Sequence, residues 1–509
     1  MTALGLMVVA SLAWPASATS APRPTNDGLL SVDCPSARSC TALGYHETDK
    51  QSVGVFGGAG RWGRATALLL PANAWRWGAT FFGPREVFPP WESQRFSAMS
   101  CPSAGNCTVV GSYNNKQDYG DGVLLSQTDG RWARGIKQPL PADALRLRPR
   151  WPLPHNSPTS ISCASAGNCT AVGFYTAFDT TVQRQGLLLT KVDGAWGPGI
   201  RAPLPADAYR GKVELNSVSC SKAGNCTAVG SYQDEEPDLP GVLLTQANGE
   251  WGPGVRALLP ASVWAARTRS EQTVELREVS CSSPGNCTAV GLYRRLGTPR
   301  AEGLLLTQTD GTWATGVPAL LPANRDRRQV TLATHLYLDS VSCASPGNCT
   351  AVGNYVARGG HQQGLLLTQT DGTWAAGVQA RLPAGAWGAS IGPGVTLKSV
   401  SCASAGNCTA VGQYFKGRGG RDGVPLLLTQ TDGTWAKGVA GRLPAGAAPL
   451  GARQGSGPDY TQAGLASVSC ASPGNCTAVG QHPHGKSGSY WGLRFTQSNG
   501  RWGGGVWVK

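Results

Sequence analysis

Short runs of alternating apolar and polar residues follow one another along most of the chain, separated by turn residues. A representative unit contains the runs 395–402 (VTLKSVSC), 408–412 (CTAVG), 426–431 (LLLTQT) and 434–436 (TWA). Runs of this length with a period of two, bounded by Gly, Asn and Asp, are typical of β-strands. The pattern therefore predicts four strands in each unit.

The turn between the third and fourth predicted strands is Asp432-Gly433. An Asp-Gly pair accepts the positive φ angles that a two-residue hairpin demands. We therefore expect the strand 426–431 to run out and the segment 434–436 to run back beside it.

The same unit recurs through the chain at a period of about 62 residues, with its length variation in the loops. Eight copies are marked by their first cysteine: Cys34, Cys101, Cys163, Cys220, Cys281, Cys343, Cys402 and Cys470. Repeat proteins bury apolar surface between neighbouring units, so 509 residues need not mean several domains.

Each copy contains consecutive leucines, as at 426–428, and such a strand must be covered on both faces. A sheet placed between two others meets that demand, and four short strands fill one propeller blade at about this length. We therefore predict an all-β, eight-bladed β-propeller with four-stranded antiparallel blades. Tandem separate small β domains are the alternative. The predicted blades are residues 31–97, 98–159, 160–216, 217–277, 278–339, 340–398, 399–466 and 467–509.

All cysteines lie in pairs of constant spacing, one pair in each copy. In an exported protein such pairs predict disulfides, whereas zinc would need four ligands and redox chemistry a closer spacing. We predict one local disulfide per blade: Cys34–Cys40, Cys101–Cys107, Cys163–Cys169, Cys220–Cys226, Cys281–Cys287, Cys343–Cys349, Cys402–Cys408 and Cys470–Cys476.

Residues 1–21 have the pattern of an export signal, with an apolar stretch followed by Ala16-Ser17-Ala18. The alternative is a buried N-terminal strand. Residues 22–30 would be a linker to the propeller, 31–509. No stretch approaches the length of a membrane-spanning helix, so we expect a secreted or envelope-associated protein that is not membrane-spanning.

The net charge of +14 favours anionic partners. The arginines are scattered through variable loops and no nucleic-acid motif accompanies them, which argues against a specific nucleic-acid role. We expect a monomer whose partner is an anionic cell-envelope polymer, a glycan or a protein.

The unit resembles two kinds of propeller repeat. The unit contains, in this order, a strand ending in Val-Gly, an aromatic residue, a Leu-rich strand and a turn that leads into Trp. This order resembles the kelch and galactose-oxidase repeat. The hairpin 429–435 (TQTDGTW) is similar to the Asp-box of sialidase-like propellers. The SVSC-GNCTAVG core over residues 31–509 also resembles uncharacterised exported repeat proteins of high-GC Gram-positive bacteria. The resemblance implies a propeller outside the membrane and implies no activity.

Two motif matches lack the context that their chemistry needs. Residues 480–487 (GQHPHGKS) fit a phosphate loop and 388–392 (GASIG) a nucleophile elbow, but neither leads into a predicted helix. His46 and His482 occupy a position where six other copies have Tyr, and we interpret them as substitutions at a semi-exposed site rather than as a copper site. We expect no cofactor, no metal and no enzymatic activity.

Two sets of aromatic residues are candidates for ligand binding. The Trp after each hairpin turn could stack on sugars in eight pockets, although packing between blades is favoured. An insertion at 75–96 is unusually aromatic, and we select Trp75, Trp77, Phe81, Phe82, Phe88 and Trp91 as contacts. The leading hypothesis is a non-catalytic binding or scaffold protein. The rivals are a multivalent lectin and a propeller enzyme with an active site in its loops.

Overall fold

The computed structural model describes residues 27–46, 54–59, 62, 66–74, 94–116, 120–145, 155–178, 182–235, 238–260, 272–295, 301–326, 336–386, 394–416, 422–448, 463–485 and 489–508. The regular structure of these residues is entirely β-strand. Within them, no helix is long and apolar enough to cross a bilayer. The strands form eight antiparallel sheets, each from one contiguous stretch of chain, which we number 1 to 8 in chain order.

The strands are distributed over the sheets as follows. Sheet 1 contains β1 (Asp27–Ser36), β2 (Ser39–His46), β3 (Gly54–Ala59) and β4 (Thr66–Ala67); sheet 2 contains β5 (Gln94–Ser103), β6 (Asn106–Asn114), β7 (Gly120–Thr128), β8 (Arg131–Trp132) and β9 (Ile136–Lys137). Sheet 3 contains β10 (Ser157–Ser165), β11 (Asn168–Phe178), β12 (Val182–Val192), β13 (Ala195–Trp196) and β14 (Ile200–Arg201); sheet 4 contains β15 (Ala208–Lys222), β16 (Asn225–Asp234), β17 (Gly241–Ala247), β18 (Glu250–Trp251) and β19 (Val255–Arg256). Sheet 5 contains β20 (Gln272–Ser283), β21 (Asn286–Arg295), β22 (Ala301–Thr309), β23 (Thr312–Trp313) and β24 (Val317–Pro318); sheet 6 contains β25 (Tyr337–Ser345), β26 (Asn348–Ala357), β27 (His361–Thr370), β28 (Thr373–Trp374) and β29 (Val378–Gln379). Sheet 7 contains β30 (Val395–Ser404), β31 (Asn407–Lys416), β32 (Asp422–Thr431), β33 (Thr434–Trp435) and β34 (Val439–Ala440); sheet 8 contains β35 (Gly464–Ser472), β36 (Asn475–His484), β37 (Ser489–Ser498), β38 (Arg501–Trp502) and β39 (Val506–Val508).

Successive strands of a sheet are neighbours in space. The first strands of adjacent sheets, such as β15 and β20, contact each other, which places them around the axis of the ring. The hairpin turns have the backbone that the sequence predicts, because Asp310 has a φ of 46° and Gly311 a φ of 85°. The Asp-Gly pairs therefore make the hairpins at the outer edge of the blades.

The outer edge strand is broken into two pieces. In sheet 7, β33 pairs with β32, the Gly438 N–H then donates to the Arg381 carbonyl next to sheet 6 (2.7 Å), and β34 returns to β32. The chain leaves its own sheet to hydrogen-bond the preceding one. Each complete blade therefore has five strands, and in five of the seven a glycine N–H at this edge donates to a carbonyl next to the preceding sheet.

The prediction of eight equivalent blades is wrong, whereas the predicted four-stranded antiparallel path is present in every sheet, with a short fifth strand added in seven of them. Seven blades, sheets 2 to 8, show the complete repeat, and each has five strands. Sheet 1 differs, because β4 pairs with β3 as the second piece of the broken edge strand does in the other sheets. Among the described residues, sheet 1 has no counterpart of the first piece. Residue 61, which precedes Trp62 at that position, lies outside the described residues.

The consecutive leucines face two neighbouring sheets. Leu304 and Leu306 belong to the same apolar cluster as Leu243 of sheet 4, whereas Leu305 belongs to the cluster of Leu338 in sheet 6. All of these side chains are buried. The core therefore lies between blades, as the two-sided apolar strand requires.

A β-bulge explains the glycine of the repeated Val-Gly pair. Strand β20 has a register shift between Leu276 and Glu278, and a Cβ on Gly291 of β21 would lie 2.0 Å from the Glu275 carbonyl oxygen. The same approach, at 1.8–2.2 Å, recurs at Gly44, Gly173, Gly230, Gly353, Gly412 and Gly480. Only a residue without a side chain fits beneath the bulged strand.

The serines of the SVSC segment connect one blade to the next. The Oγ of Ser280 accepts the Cys343 N–H at 3.0 Å, and the Oγ of Ser217 accepts the Val279 N–H at 3.2 Å. At two junctions a carboxylate replaces the hydroxyl: Asp33 accepts from the Cys101 N–H, and Glu278 accepts from the Val341 N–H. At the first strands of neighbouring sheets, these side-chain oxygens therefore accept the hydrogen bonds that join one blade to the next.

All eight predicted disulfides are present, so this prediction is confirmed. Each also contacts the preceding blade in the ring. The Thr288 hydroxyl lies 3.2 Å from the Cys349 Sγ, and it is the donor because a disulfide sulfur has no hydrogen. Equivalent contacts occur at all eight junctions.

Among the described residues, the ring closes between sheets 8 and 1 by side-chain contacts, and no strand is exchanged. The Cys34 N–H donates to Ser469 Oγ at 3.0 Å, and Thr477 contacts the Cys40 Sγ at 3.4 Å. Leu29 of sheet 1 and Val479 of sheet 8 share one apolar cluster. The units therefore form one ring and are not separate tandem domains.

The ring has two different faces. The disulfide loops and the outer hairpin turns lie at the same end of each sheet, where the Gly433 N–H donates to the Gly406 carbonyl at 2.9 Å. We call this the turn face. The connections between second and third strands, and those between sheets, lie at the opposite end, which we call the loop face.

Candidate functional site

The predicted ligand contacts in the 75–96 insertion lie outside the described residues. This applies to Trp75, Trp77, Phe81, Phe82, Phe88 and Trp91. The end of the insertion is described, and there Phe96 is a buried residue of the blade core.

The repeated tryptophans pack against the blade cores. Trp313 lies against the cluster of Leu304, and Trp374 against that of Leu365. The indole Nε1 atoms of both are buried and have no hydrogen-bond partner among the described residues. These rings act mainly as packing residues, as the favoured interpretation predicts.

The aromatic position after Val-Gly is fully buried, so its description as semi-exposed is wrong. Tyr175 is 0% exposed, and His482, its counterpart in sheet 8, is 3% exposed, with Nδ1 2.9 Å from the Pro483 carbonyl oxygen. The side chain of His46 lies outside the described residues. Among those that are described, no group of three or more His, Cys, Asp and Glu side chains is placed to hold a metal ion.

Most of these tyrosines form hydrogen bonds to the connections on the loop face. The Tyr175 hydroxyl donates to Asp143 (2.9 Å) in the segment leading from sheet 2 to sheet 3, and Tyr113 donates to Asn73 at the preceding junction (2.9 Å). Burial is the main cause that raises the pKa of Tyr113 to about 12. Asp143 and Asn73 each follow a Leu-Pro-Ala sequence in the connection between two sheets, and each therefore has a structural partner.

In sheet 8, packed aromatic rings take the place of this tyrosine hydrogen bond. His484 stacks on Trp491 with ring centroids 3.5 Å apart, and Trp507 packs edge-on against both rings. The Trp507 indole donates to the Ala445 carbonyl at 2.8 Å. Gly446 stands where Asp143 stands in its junction, and a Cβ there would be 2.6 Å from His484 Nε2. Small and aromatic residues at this junction thus fit together.

A groove lies between sheets 2 and 3 on the turn face. Its volume is about 610 Å³, within the range of ligand sites. A second groove, between sheets 7 and 8, has a volume of about 250 Å³. The larger groove is lined by apolar and polar side chains, among them Leu124, Ile136, Trp196, Asn106, Ser126 and Lys191.

Lys191 is the unusual residue of this groove. It stands where the other six complete blades have glutamine, and its Nζ donates to Ser126 Oγ of sheet 2 at 2.8 Å. The residue is only 6% exposed, and burial lowers the pKa of its amine. Its Nζ also lies 6.0 Å from the centroid of the Trp196 ring.

A second cation, Arg134, lines the same groove and donates from Nη1 to the Leu70 carbonyl at 2.9 Å. Within the described part of the chain, neither Arg134 nor Lys191 has an ion-pair partner. The groove therefore combines apolar walls with two positive charges, those of Lys191 and Arg134, and one exposed carboxylate, that of Asp193.

Sequence reasoning missed this site, although a signal for it was present. The segment 190–194 (TKVDG) departs from the TQTDG of the repeat at the position of Lys191. In a repeat protein, the copy that departs from the common residue at a position facing a neighbour is the one to examine.

No protein-family model and no curated protein matches the sequence. The resemblances to kelch, Asp-box and exported repeat proteins therefore stay predictions. Because the sheets are arranged radially in a closed ring, the chain is a β-propeller, and its blades contain local disulfides.

Several solved structures are similar in their fold. A lectin from Burkholderia pseudomallei has 14% identity, with 82% of this chain and 99% of the lectin covered and a TM-score of 0.41. The six-bladed lectin of Aleuria aurantia, which recognises fucose, has 11% identity, coverage of 69% and 94%, and a TM-score of 0.30. A polysaccharide lyase that acts as an ulvan lyase has 10% identity, coverage of 80% and 92%, and a TM-score of 0.42. Identities this low carry neither a ligand nor an activity to this chain.

Proposed function

We propose that the protein is an exported, non-catalytic β-propeller that binds a glycan in the groove between sheets 2 and 3. The observation that carries the proposal is the groove itself, in which an apolar wall faces hydrogen-bonding groups.

The lining suits the two sides of a sugar ring. A pyranose has an apolar face of C–H groups and a rim of hydroxyls. Ile136 and Trp196 offer apolar surface, while Ser126 and Asn106 offer hydrogen-bonding groups in the same groove. A volume of about 610 Å³ accommodates a short oligosaccharide segment.

The proposed site differs from the eight equivalent pockets of a multivalent lectin. The repeated tryptophans that would build such pockets pack on blade cores. The groove depends on residues particular to one junction, above all Lys191 and Ser126. We therefore expect one site per chain at this groove.

Eight disulfides suit a protein that works in an oxidising compartment outside the cytoplasm. Glycans are abundant there as cell-envelope polymers, so the compartment and the proposed ligand agree.

An oligosaccharide array probed with the intact, oxidised protein tests the proposal, with affinities measured by calorimetry. In Ala133→Trp, a large ring occupies the exposed rim of the groove, so we expect at least a tenfold loss of affinity for every hit. Ala436→Trp places the same ring at the equivalent exposed position of sheet 7 and should leave affinity unchanged.

An array without a hit would refute glycan binding. Equal affinities for the two variants would refute the location. Each bound oligosaccharide is also incubated with the protein and analysed by mass spectrometry, and cleavage of any of them would refute the non-catalytic assignment.

A further inference from the structure

We propose that the groove selects glycans that carry a carboxylate or sulfate group, and that Lys191 is the residue that determines this selectivity. This inference rests on the proposed function and adds the chemical class of the ligand. Two observations support it: a neutral glutamine makes the hydrogen bond of Lys191 in other blades, and Lys191 adds a positive charge.

In four of the six blades that have glutamine at this position, its side chain donates a hydrogen bond to the preceding blade. In sheet 5 the Gln308 Nε2 donates to Thr245 Oγ1 at 3.2 Å, and in sheet 6 the Gln369 Nε2 donates to Thr307 Oγ1 at 3.1 Å. The Lys191 Nζ makes the same connection to Ser126. A neutral amide therefore meets the structural demand, and the positive charge of lysine is not needed for it.

The charge has an energetic cost in this place. Removing an ammonium group from water is unfavourable unless a charge or several hydrogen bonds compensate it. For Lys191, the described residues supply one hydroxyl and the distant face of an indole ring, and no carboxylate. A residue with this cost and no structural need for charge is expected where a ligand supplies the counter-charge.

The groove also provides the means to bind an oxyanion. Arg134 lines it together with Lys191, and the corresponding residue of the next blade is Pro198. Guanidinium and ammonium groups are the side chains that bind carboxylate and sulfate most strongly. The mouth of the groove is open to solvent, so a charged substituent on a sugar ring can enter while the ring packs on Trp196.

The test compares three proteins on matched ligands. Each acidic hit of the array is paired with its carboxyl-reduced or desulfated form, and dissociation constants are measured for the wild type, Lys191→Gln and Lys437→Gln. Lys191→Gln restores the residue of the other blades and should fold normally. Lys437→Gln removes the same charge from an exposed position of sheet 7.

We expect the wild type to prefer the acidic form at least tenfold and Lys191→Gln to lose this preference through weaker binding of that form. Lys437→Gln should behave as the wild type. Raising the salt concentration should weaken binding of the acidic form to the wild type more than to Lys191→Gln. Binding of a carboxylate should decrease when the ligand is protonated at low pH, whereas binding of a sulfate should persist.

The outcomes separate the two proposals. If no glycan binds, the proposed function fails. If glycans bind but neutral and acidic forms bind equally, or if Lys191→Gln keeps the preference, glycan binding stands and the role of Lys191 is refuted. A loss of preference in Lys437→Gln as well would indicate general electrostatic attraction and would also refute that role.

Discussion

The carboxylate of Glu278 accepts a hydrogen bond from the backbone N–H of Val341 at 2.6 Å, across the junction between sheets 5 and 6. Five other junctions place a serine hydroxyl at this position. The contact therefore belongs to the ring of bonds that joins the blades, but at this junction its acceptor can titrate.

Replacing Glu278 with serine should reduce the dependence of stability on pH. Burial, the largest cause, raises the pKa of Glu278 from 4.5 to about 7, the charge of Asp339 adds to this, and the bonds from Ser340 and Val341 oppose it. The folded protein thus binds the proton more tightly than the unfolded chain, so this contribution is complete below about pH 4.5 and is lost as the pH rises through about 7.

Thermal unfolding from pH 4 to 8 measures this effect. The melting temperature of the wild type should decrease over this interval more than that of Glu278→Ser. Burial also raises the pKa of Asp33, from 3.8 to about 6, so a smaller slope should remain until Asp33→Ser is added. Parallel curves for the wild type and Glu278→Ser would contradict the prediction.

Gly291→Ala should destabilise the propeller strongly. The added methyl would lie 2.0 Å from the Glu275 carbonyl oxygen, and relaxation is limited because the three nearest atoms all belong to the backbone of β20. We expect a loss of about 2–3 kcal/mol in the free energy of unfolding, the upper part of the range that is typical of overpacking. Chemical denaturation measures it. The control is Gly252→Ala, where the nearest atom would be 3.7 Å away, and equal effects of the two changes would refute the bulge argument.

Removing one disulfide should cost about 2 kcal/mol, because so short a loop restricts the unfolded chain only modestly. We expect this for the paired change Cys343→Ala and Cys349→Ala, with a small addition from the lost contact of Thr288. Denaturation of this variant with the other seven bridges oxidised checks the figure. A variant that failed to fold would show that this bridge does more than close a loop.

Tyr175→Phe should lower the free energy of unfolding by about 1 kcal/mol, since it removes a hydrogen bond to a carboxylate. Tyr414→Phe is the matched control, because the Tyr414 hydroxyl has no partner among the residues that the structure describes. Denaturation midpoints compare the two, and the prediction fails if both variants lose the same stability.

Several features of this protein followed from the sequence because they depend on residues close together in the chain. The hairpin at Asp310-Gly311 needs only the φ preferences of two residues. The disulfides bridge cysteines six positions apart. The consecutive leucines 304–306 demanded cover on both sides, and this demand led from strands to stacked blades.

Other features depend on residues from different strands or different blades, which no local pattern brings together. The edge strand breaks because Gly438 bonds to the preceding sheet, and the glycine of the Val-Gly pair is required by the bulge of another strand. The burial of Tyr175 depends on the connection that carries Asp143. The surroundings of the Lys191 amine are formed by another blade, whose Ser126 accepts its hydrogen bond and whose Arg134 lines the same groove. Sequence alone therefore determined the unit and its covalent staples, while the packing of one unit on the next decided the five-stranded blades and the charged groove.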